Sequence, residues 1–202
     1  MTLARGMERL ETERLVLRRV TPADLPFYVR LHGMAEVARG LWLEGRPKTA
    51  EQTEAWLQGT LASYEALELG YLAVVRKADG ALIGRCGLMD MAVEAAAPER
   101  RLRRGWFGRE EVPAGVAVIF ECELGYTFDP AVWRQGYASE AARSVWDYAR
   151  EGVGLGYVVS AILPGNAASR RVAERAGAKV DGRMQAAGMV FERWVWGSPG
   201  RC

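Results

Sequence analysis

The sequence predicts an α/β domain in which a mixed β-sheet is flanked by helices, and three observations carry that expectation. A long strand pattern over residues 116–128, a helical pattern over 137–151 and a second apolar strand pattern over 157–163 make one βαβ unit, whose crossover should be right-handed and whose strands should be parallel. The helical part is marked by Ala138, Ala141, Ala142, Val145, Trp146 and Ala149, which recur at three- and four-residue spacing on one face. Two further runs, Tyr71 to Arg76 and Ala81 to Asp90, flank Lys77-Ala78-Asp79-Gly80, a hairpin turn because Gly80 tolerates positive φ. They should be antiparallel. The predicted order is therefore β-α-α-β-β-β-α-β-α-β-β, and the 202 residues are expected to form one domain around one core.

Arg14 to Val20 alternates aliphatic and basic residues and opens the sheet. Thr21 is a good N-cap and Pro22 suits a first helical turn, so a short helix should run to about His32. Residues 33–49, with Gly33, Gly40, Gly45 and Pro47, read as a loop or broken helix whose Leu41, Trp42 and Leu43 either line a substrate cleft or pack beneath the loop. Thr49 caps the next helix, with Glu51 and Gln52 supplying capping-box side chains and Gly70 the stop. Ala55, Trp56, Leu57, Leu61, Tyr64 and Leu67 should form most of its buried face.

Residues 91–115 break the pattern as a basic insertion, with five arginines between Arg100 and Arg109 beside Trp106 and Phe107. Such a segment reads either as a solvated loop or hairpin excursion or as a grip for an acidic substrate or RNA. Asp129-Pro130 ends the long strand, and Gly152, Gly154 and Gly156 end the following helix. Pro164-Gly165-Asn166 is a turn and cap, Ala167 to Ala176 a short helix closed by Gly177, and residues 178–185 and 189–196 a last strand pair turning at Gly188. Val190, Phe191, Val195 and Trp196 would serve a dimer seam as readily as the core, which leaves monomer and homodimer open.

Composition narrows the function classes. A formal net charge of +2 gives no global attraction to nucleic acid or membrane. Cys86, Cys122 and Cys202 are widely separated and His32 is the only histidine, so neither a metal site nor a disulfide scaffold is expected. No apolar leader or long apolar run is present, which predicts a cytoplasmic protein.

In an open sheet with parallel strands, ligands sit beyond the carboxyl ends of the strands, here at residues 128–139. Arg134 and the N–H groups of Gln135, Gly136, Tyr137, Ala138 and Ser139 are placed to surround a pyrophosphate, with Gly136 removing a side chain where the backbone must come close. No P-loop pattern occurs, and Gly152-Val153-Gly154-Leu155-Gly156 follows a helix and precedes a strand, the reverse of a dinucleotide fingerprint.

The run from Trp133 to Ala141, WRQGYASEA, preceded by Glu123-Leu124-Gly125-Tyr126, resembles the acetyl-CoA loop of the GNAT superfamily of N-acetyltransferases, in particular the ribosomal-protein N-terminal acetyltransferase branch. Residues 166–178, NAASRRVAERAGA, and the opening ETERLVLRRVTPAD resemble other segments of that family. The resemblance implies a centrally splayed mixed sheet, acetyl-CoA as cosubstrate, and direct acetyl transfer within a ternary complex to a primary amine, either a protein N-terminus or a small amine. It implies that the edge of Tyr126, Thr127 and Phe128 pairs with the pantetheine arm, that Asn166 holds that arm, and that a strand-edge N–H polarises the thioester carbonyl. The wider superfamily begins its loop with Gln or Arg where this chain has Trp133.

Glu121 and Glu123 lie two apart and share a strand face, where burial would raise a carboxyl toward neutral pH. Glu123, which heads the ELGY match, is the candidate base, its alternative role being a structural hydrogen bond. The resemblance implies a hydroxyl near the sulfur at Ser169, one turn into the helix after Asn166, which makes Ser169 the candidate acid or else a helix N-terminal hydrogen-bonding group, with Tyr126 and Tyr157 as substitutes. Two other classes remain open on sequence: a catalytically silent acyl-CoA-binding sensor, and an RNA- or ribosome-associated protein using the arginine-rich segment.

Overall fold

The structure is a computed structural model that describes residues 7–41, 45–95, 102–107 and 111–198. Two short antiparallel strands, β1 (Arg9–Glu11) and β2 (Leu15–Arg19), lead into α1 (Leu25–His32), α2 (Ala35–Ala38) and α3 (Ala50–Leu67). The hairpin β3 (Tyr71–Arg76) and β4 (Leu82–Glu94) follows, turning at Gly80 with φ 69°. Then come β5 (Arg103–Trp106), β6 (Val118–Phe128), α4 (Tyr137–Tyr148), β7 (Tyr157–Ile162), α5 (Ala167–Arg175), β8 (Lys179–Ala186) and β9 (Met189–Gly197).

The sheet runs in the order β1-β2-β3-β4-β5-β8-β9-β7-β6, and β6 also pairs with β4, so the last six strands close on themselves. Three apolar clusters fill the resulting layers. On one face α4 and α5 bury Ala141, Ala142, Val145, Trp146 and Ala173 against Leu17, Val74, Leu88, Leu124 and Trp196. On the other, α1, α2 and α3 cover β2 and β3 through Tyr28, Leu31, Val37, Leu57 and Tyr64. The third cluster unites β4, β7, β8 and β9 through Met91, Val159, Met184 and Phe191. The stripe on α4 read from spacing is the surface that docks this helix, since each fully buried aliphatic side chain contributes about 1.5–3 kcal/mol.

The structure corrects several expectations. Residues 91–115 do not simply interrupt the sheet: Met91, Ala92 and Val93 continue β4 to Glu94, and Arg103–Trp106 is a strand joining β4 to β8. Arg104 is engaged by Glu94 at 2.5 Å, and Gly105 lets Met184 come within 2.6 Å of the place a Cβ would occupy. Basic side chains on the open face hid the strand period. Arg100, Arg101, Arg109, Trp42, Leu43 and Cys202 lie outside the described residues. On α3, Ala55 is exposed while Thr53, Thr60 and Ser63 are buried. Their hydroxyls donate to the carbonyls of Thr49, Trp56 and Thr60 at 2.8–3.0 Å, which satisfies them without water.

Glu68 in the left-handed region, φ 55°, ends α3. Gly70, expected to do so, instead makes room for the Tyr64 ring. Of the four residues read as serving either a dimer seam or the core, Phe191, Val195 and Trp196 are core and Val190 is exposed.

β6 and β9 are also joined by charge. Arg193 donates from Nη2 to Glu121 Oε1 at 2.5 Å and from Nε to Oε2 at 3.2 Å, with both residues 3 % exposed, and its Nη1 reaches Asp181 at 2.5 Å. Removing one member of such a buried pair strands the other without a counter-charge. Arg193→Met is expected to lower folding stability by about 3–5 kcal/mol, measured by chemical denaturation. A loss below about 1 kcal/mol would show that Tyr157, which donates to Glu121 at 3.3 Å, suffices for that carboxylate.

Candidate active site

β6 follows β4 along its whole length, from Val118 opposite Glu94 to Phe128 opposite Gly84. Its other edge meets the parallel strand β7 at a single pair, Glu123 opposite Val159, while β7 goes on with β9. The parallel pairing expected of the βαβ unit is therefore present but splays at once. Ser160 is the wedge: its Oγ donates to the Leu124 carbonyl at 2.5 Å and accepts the Trp196 indole N–H at 3.0 Å. Farther along, the Trp133 indole N–H donates to the Phe128 carbonyl at 2.8 Å. Successive backbone groups of a strand alternate sides, so with the Leu124 and Phe128 carbonyls turned away from β4, the N–H and C=O of Tyr126 between them also face the opening.

That opening is a cleft of about 700 Å³ lined by Tyr126, Thr127, Phe128, the loop from Val132 to Ser139 and the start of α5. The loop enters α4 through Arg134 at φ 62° and Gly136 at φ 86°. No side chain caps the helix, and its first bond runs from the Glu140 N–H to the Gly136 carbonyl, which leaves the N–H groups of Tyr137, Ala138 and Ser139 unused by the helix. The loop is braced from behind. Arg14 donates to the Gln135 carbonyl at 3.0 Å and pairs with Glu140 at 2.6 Å, while Gln135 reaches back to the Ala131 carbonyl at 3.2 Å. Arg39, Arg171 and Arg175 line the same cleft as Arg134. Sequence reasoning missed these three, although the four-residue spacing of Arg171 and Arg175 along a helix was a usable signal.

Asn166, the N-cap of α5, accepts the Ser169 N–H through Oδ1 and donates through Nδ2 to the Gly40 carbonyl, both at 3.0 Å. It thereby joins the loop after α2 to the cleft. Ser169 lines both this cleft and a smaller adjoining cavity of about 60 Å³. Tyr126 is held by its phenol, which donates to the Ser169 carbonyl at 3.0 Å, and burial pushes its pKa up. Tyr157 belongs instead to the Glu121–Arg193 cluster.

The small cavity contains Glu123. Its neighbour Glu121 is committed to Arg193, whereas the Glu123 carboxyl is pushed up to about 7 by burial, against the opposing pull of the Ala161 backbone hydrogen bond and the Arg85 charge. Two residues that sequence reasoning passed over share this cavity. Tyr71 extends its hydroxyl to within 2.6 Å of where a Gly125 Cβ would stand, so glycine at 125 is what admits the ring between Glu123 and Thr127. Arg85, directly across from Thr127, packs its guanidinium 3.9 Å from the Tyr71 ring centre and 4.9 Å from that of Trp56. Nearby His32 is kept neutral, its pKa lowered to about 2 by burial and then by Arg85 and Lys48, and burial and Arg85 lower Lys48 to about 8.

The Glu123 shift has a stability consequence. The folded state holds this proton up to about pH 7 and the unfolded chain only to its ordinary value of 4.5, so stability falls as pH rises through that window, by on the order of 3 kcal/mol. Glu123→Gln removes the ionisation. Its stability relative to the parent chain should therefore be higher at pH 8 than at pH 4, and the same difference at both values in denaturant titrations would contradict a raised Glu123.

Comparison with known proteins bears on what this arrangement does. A family model described as an acetyltransferase (GNAT) domain matches residues 14–179. Among curated proteins, the uncharacterised N-acetyltransferase YoaA of Bacillus subtilis is 27% identical over 173 residues, covering 86% of this chain and 84% of the relative. An acetyltransferase structure from Agrobacterium tumefaciens is 26% identical with a TM-score of 0.70, covering 98% of this chain and 99% of that one. The ribosomal-protein α-N acetyltransferase RimL, solved in complex with coenzyme A, has the same fold at 18% identity and a TM-score of 0.65, covering 94% and 97%.

Proposed function

Because the chain belongs to the GNAT acetyltransferase family, whose members use acetyl-CoA, we propose that it moves an acetyl group from acetyl-CoA directly onto a primary amine within a ternary complex. The observation that carries this reading is the meeting of two cavities. The long cleft at the splayed edge of β6 and the small cavity holding Glu123 share Tyr126, Thr127, Asn166 and Ser169.

Arg134 and the N–H groups from Gln135 to Ser139 would hold the pyrophosphate, with the positive end of α4 behind them. Gly136 adopts a backbone conformation that a side chain would strain, and a Cβ there would lie 3.3 Å from Arg14. Along the edge of Tyr126, Thr127 and Phe128, the N–H and C=O of Tyr126 offer the pantetheine arm the partners β7 does not take, with Asn166 on the far side. Acetyl-CoA supplies an activated acyl group. The Tyr126 N–H polarises its thioester carbonyl, and Glu123, with a pKa near the working pH, accepts the proton that the ammonium must lose before its nitrogen attacks. The new C–N bond replaces the C–S bond, and the Ser169 hydroxyl at the junction donates to the departing sulfur. The Tyr126 phenol suits that task less well, since its proton is given to a carbonyl and burial raises its pKa.

Thiol release from acetyl-CoA in the presence of an amine panel separates this reading from a silent acyl-CoA binder, which would bind the thioester and release nothing. Glu123→Gln should lower kcat by roughly 10²-fold or more with acetyl-CoA affinity intact, and should abolish the rise of kcat/KM with pH through about 7. Unchanged turnover across that range would remove Glu123 from the mechanism. Gly136→Leu should weaken acetyl-CoA binding on the order of tenfold or more by calorimetry, while normal affinity would exclude the proposed cradle.

A further inference from the structure

Three buried polar atoms of residues that line the small cavity have no hydrogen-bond partner: Nε and Nη1 of Arg85 and Oγ1 of Thr127. The two residues face each other across β4 and β6 and are each 7 % exposed. No carboxylate among the described residues pairs with Arg85, although every other fully buried arginine among them, namely Arg193, has two. Tyr71 and Trp56 cover the guanidinium through their rings, and the Tyr71 hydroxyl also engages it, but ring contacts act on its faces and Nε and Nη1 in its plane remain without a partner. A buried cation left in this state is costly unless a counter-charge arrives, and unpaired donors in a cavity specify what that arrival must accept.

The cavity floor orders the requirement. Along one face of β6 stand Glu123, then Gly125 without a side chain, then Thr127, with Arg85 across from Thr127 and the Tyr71 hydroxyl above Gly125. One end therefore offers a proton acceptor and the other a guanidinium with a hydroxyl, on either side of Gly125 in a space of about 60 Å³. We propose that the acceptor is a small amine carrying its own carboxylate, an amino acid or a close analogue, whose carboxylate binds Arg85 and Thr127 while its amine faces Glu123. This rests on the acetyl-transfer reading of the same site. Charge and size both favour it over an amine without an anion: the planar guanidinium matches a carboxylate, and the cavity is small.

The test uses the full chain with acetyl-CoA and matched amines: free amino acids, their carboxamides and their methyl esters. Thiol release should show kcat/KM for the acids on the order of 10²-fold above the amides, the scale expected when a buried charge loses its partner. Arg85→Gln should reduce that preference to a few-fold with acetyl-CoA affinity, measured by calorimetry, unchanged, and Thr127→Val should reduce it in part. Binding of the same amines to the protein saturated with coenzyme A is measured in parallel, so that recognition of the carboxylate is judged even without turnover. Amides that bind and react as well as acids would overturn the proposal and leave acetyl transfer standing. Acids that bind through Arg85 with no thiol release from any amine would sustain carboxylate recognition and sink the transferase reading. An Arg85→Gln chain that keeps the full preference for acids would overturn the role of Arg85.

Discussion

The rest of the site depends on one backbone event, the separation of β6 from β7 after Glu123 and Val159. A central strand ordinarily satisfies both edges, and an unpaired edge inside a protein is costly. Here the departure is held by polar side chains rather than left open: the Ser160 hydroxyl takes the Leu124 carbonyl, Trp196 holds Ser160, and the Trp133 indole takes the Phe128 carbonyl. Only the stretch around Tyr126 is left for a ligand. The same splay brings the start of α4 and the start of α5 to the two sides of one cleft, so an edge, a helix terminus and a capping asparagine are all consequences of it.

Position relative to that split also decides the fates of two carboxylates on one strand face. Glu121 lies two residues before the single β6–β7 pair, where Arg193 and Tyr157 reach it. Glu123 lies at the point of separation, where it has one backbone hydrogen bond and the more distant charge of Arg85. Burial with a close counter-charge makes an ion pair that ties β6 to β9. Burial without one makes an acid whose proton is held to near neutrality. Chemically identical side chains two residues apart thus become one member of a buried ion pair and one carboxyl with a raised pKa.

Glycine spacing shapes the acceptor side in the same way. Gly87 and Gly125 face each other across β4 and β6, and the missing side chains are replaced by Tyr71 from β3. That substitution carries an aromatic ring and a hydroxyl into a row between Glu123 and Thr127, and the ring in turn positions Arg85. Strands β3, β4, β6, β7 and β9 all contribute to this one small cavity, and Gly40, Leu41, Asn166 and Ser169 complete its wall.

Much was legible in the sequence alone. The period of Ala138 to Ala149 fixed α4 and its docking face, Gly80 fixed the hairpin, and the loop from Trp133 to Ser139 with Asn166 marked the ligand end of the sheet, because these signals are local and each residue's neighbours in the chain are its neighbours in space. β5 was not legible, since a four-residue strand whose partners lie on β4 and β8 has no period of its own and carries arginines on its open side. Neither were Arg85 and Tyr71, which read as ordinary strand residues until register set them beside Thr127 and Gly125. Sequence determined most of the helices and strands and the loop that enters α4. Tertiary structure decided which buried charges find partners, because pairing across strands depends on register and splay, and neither is encoded within any one strand.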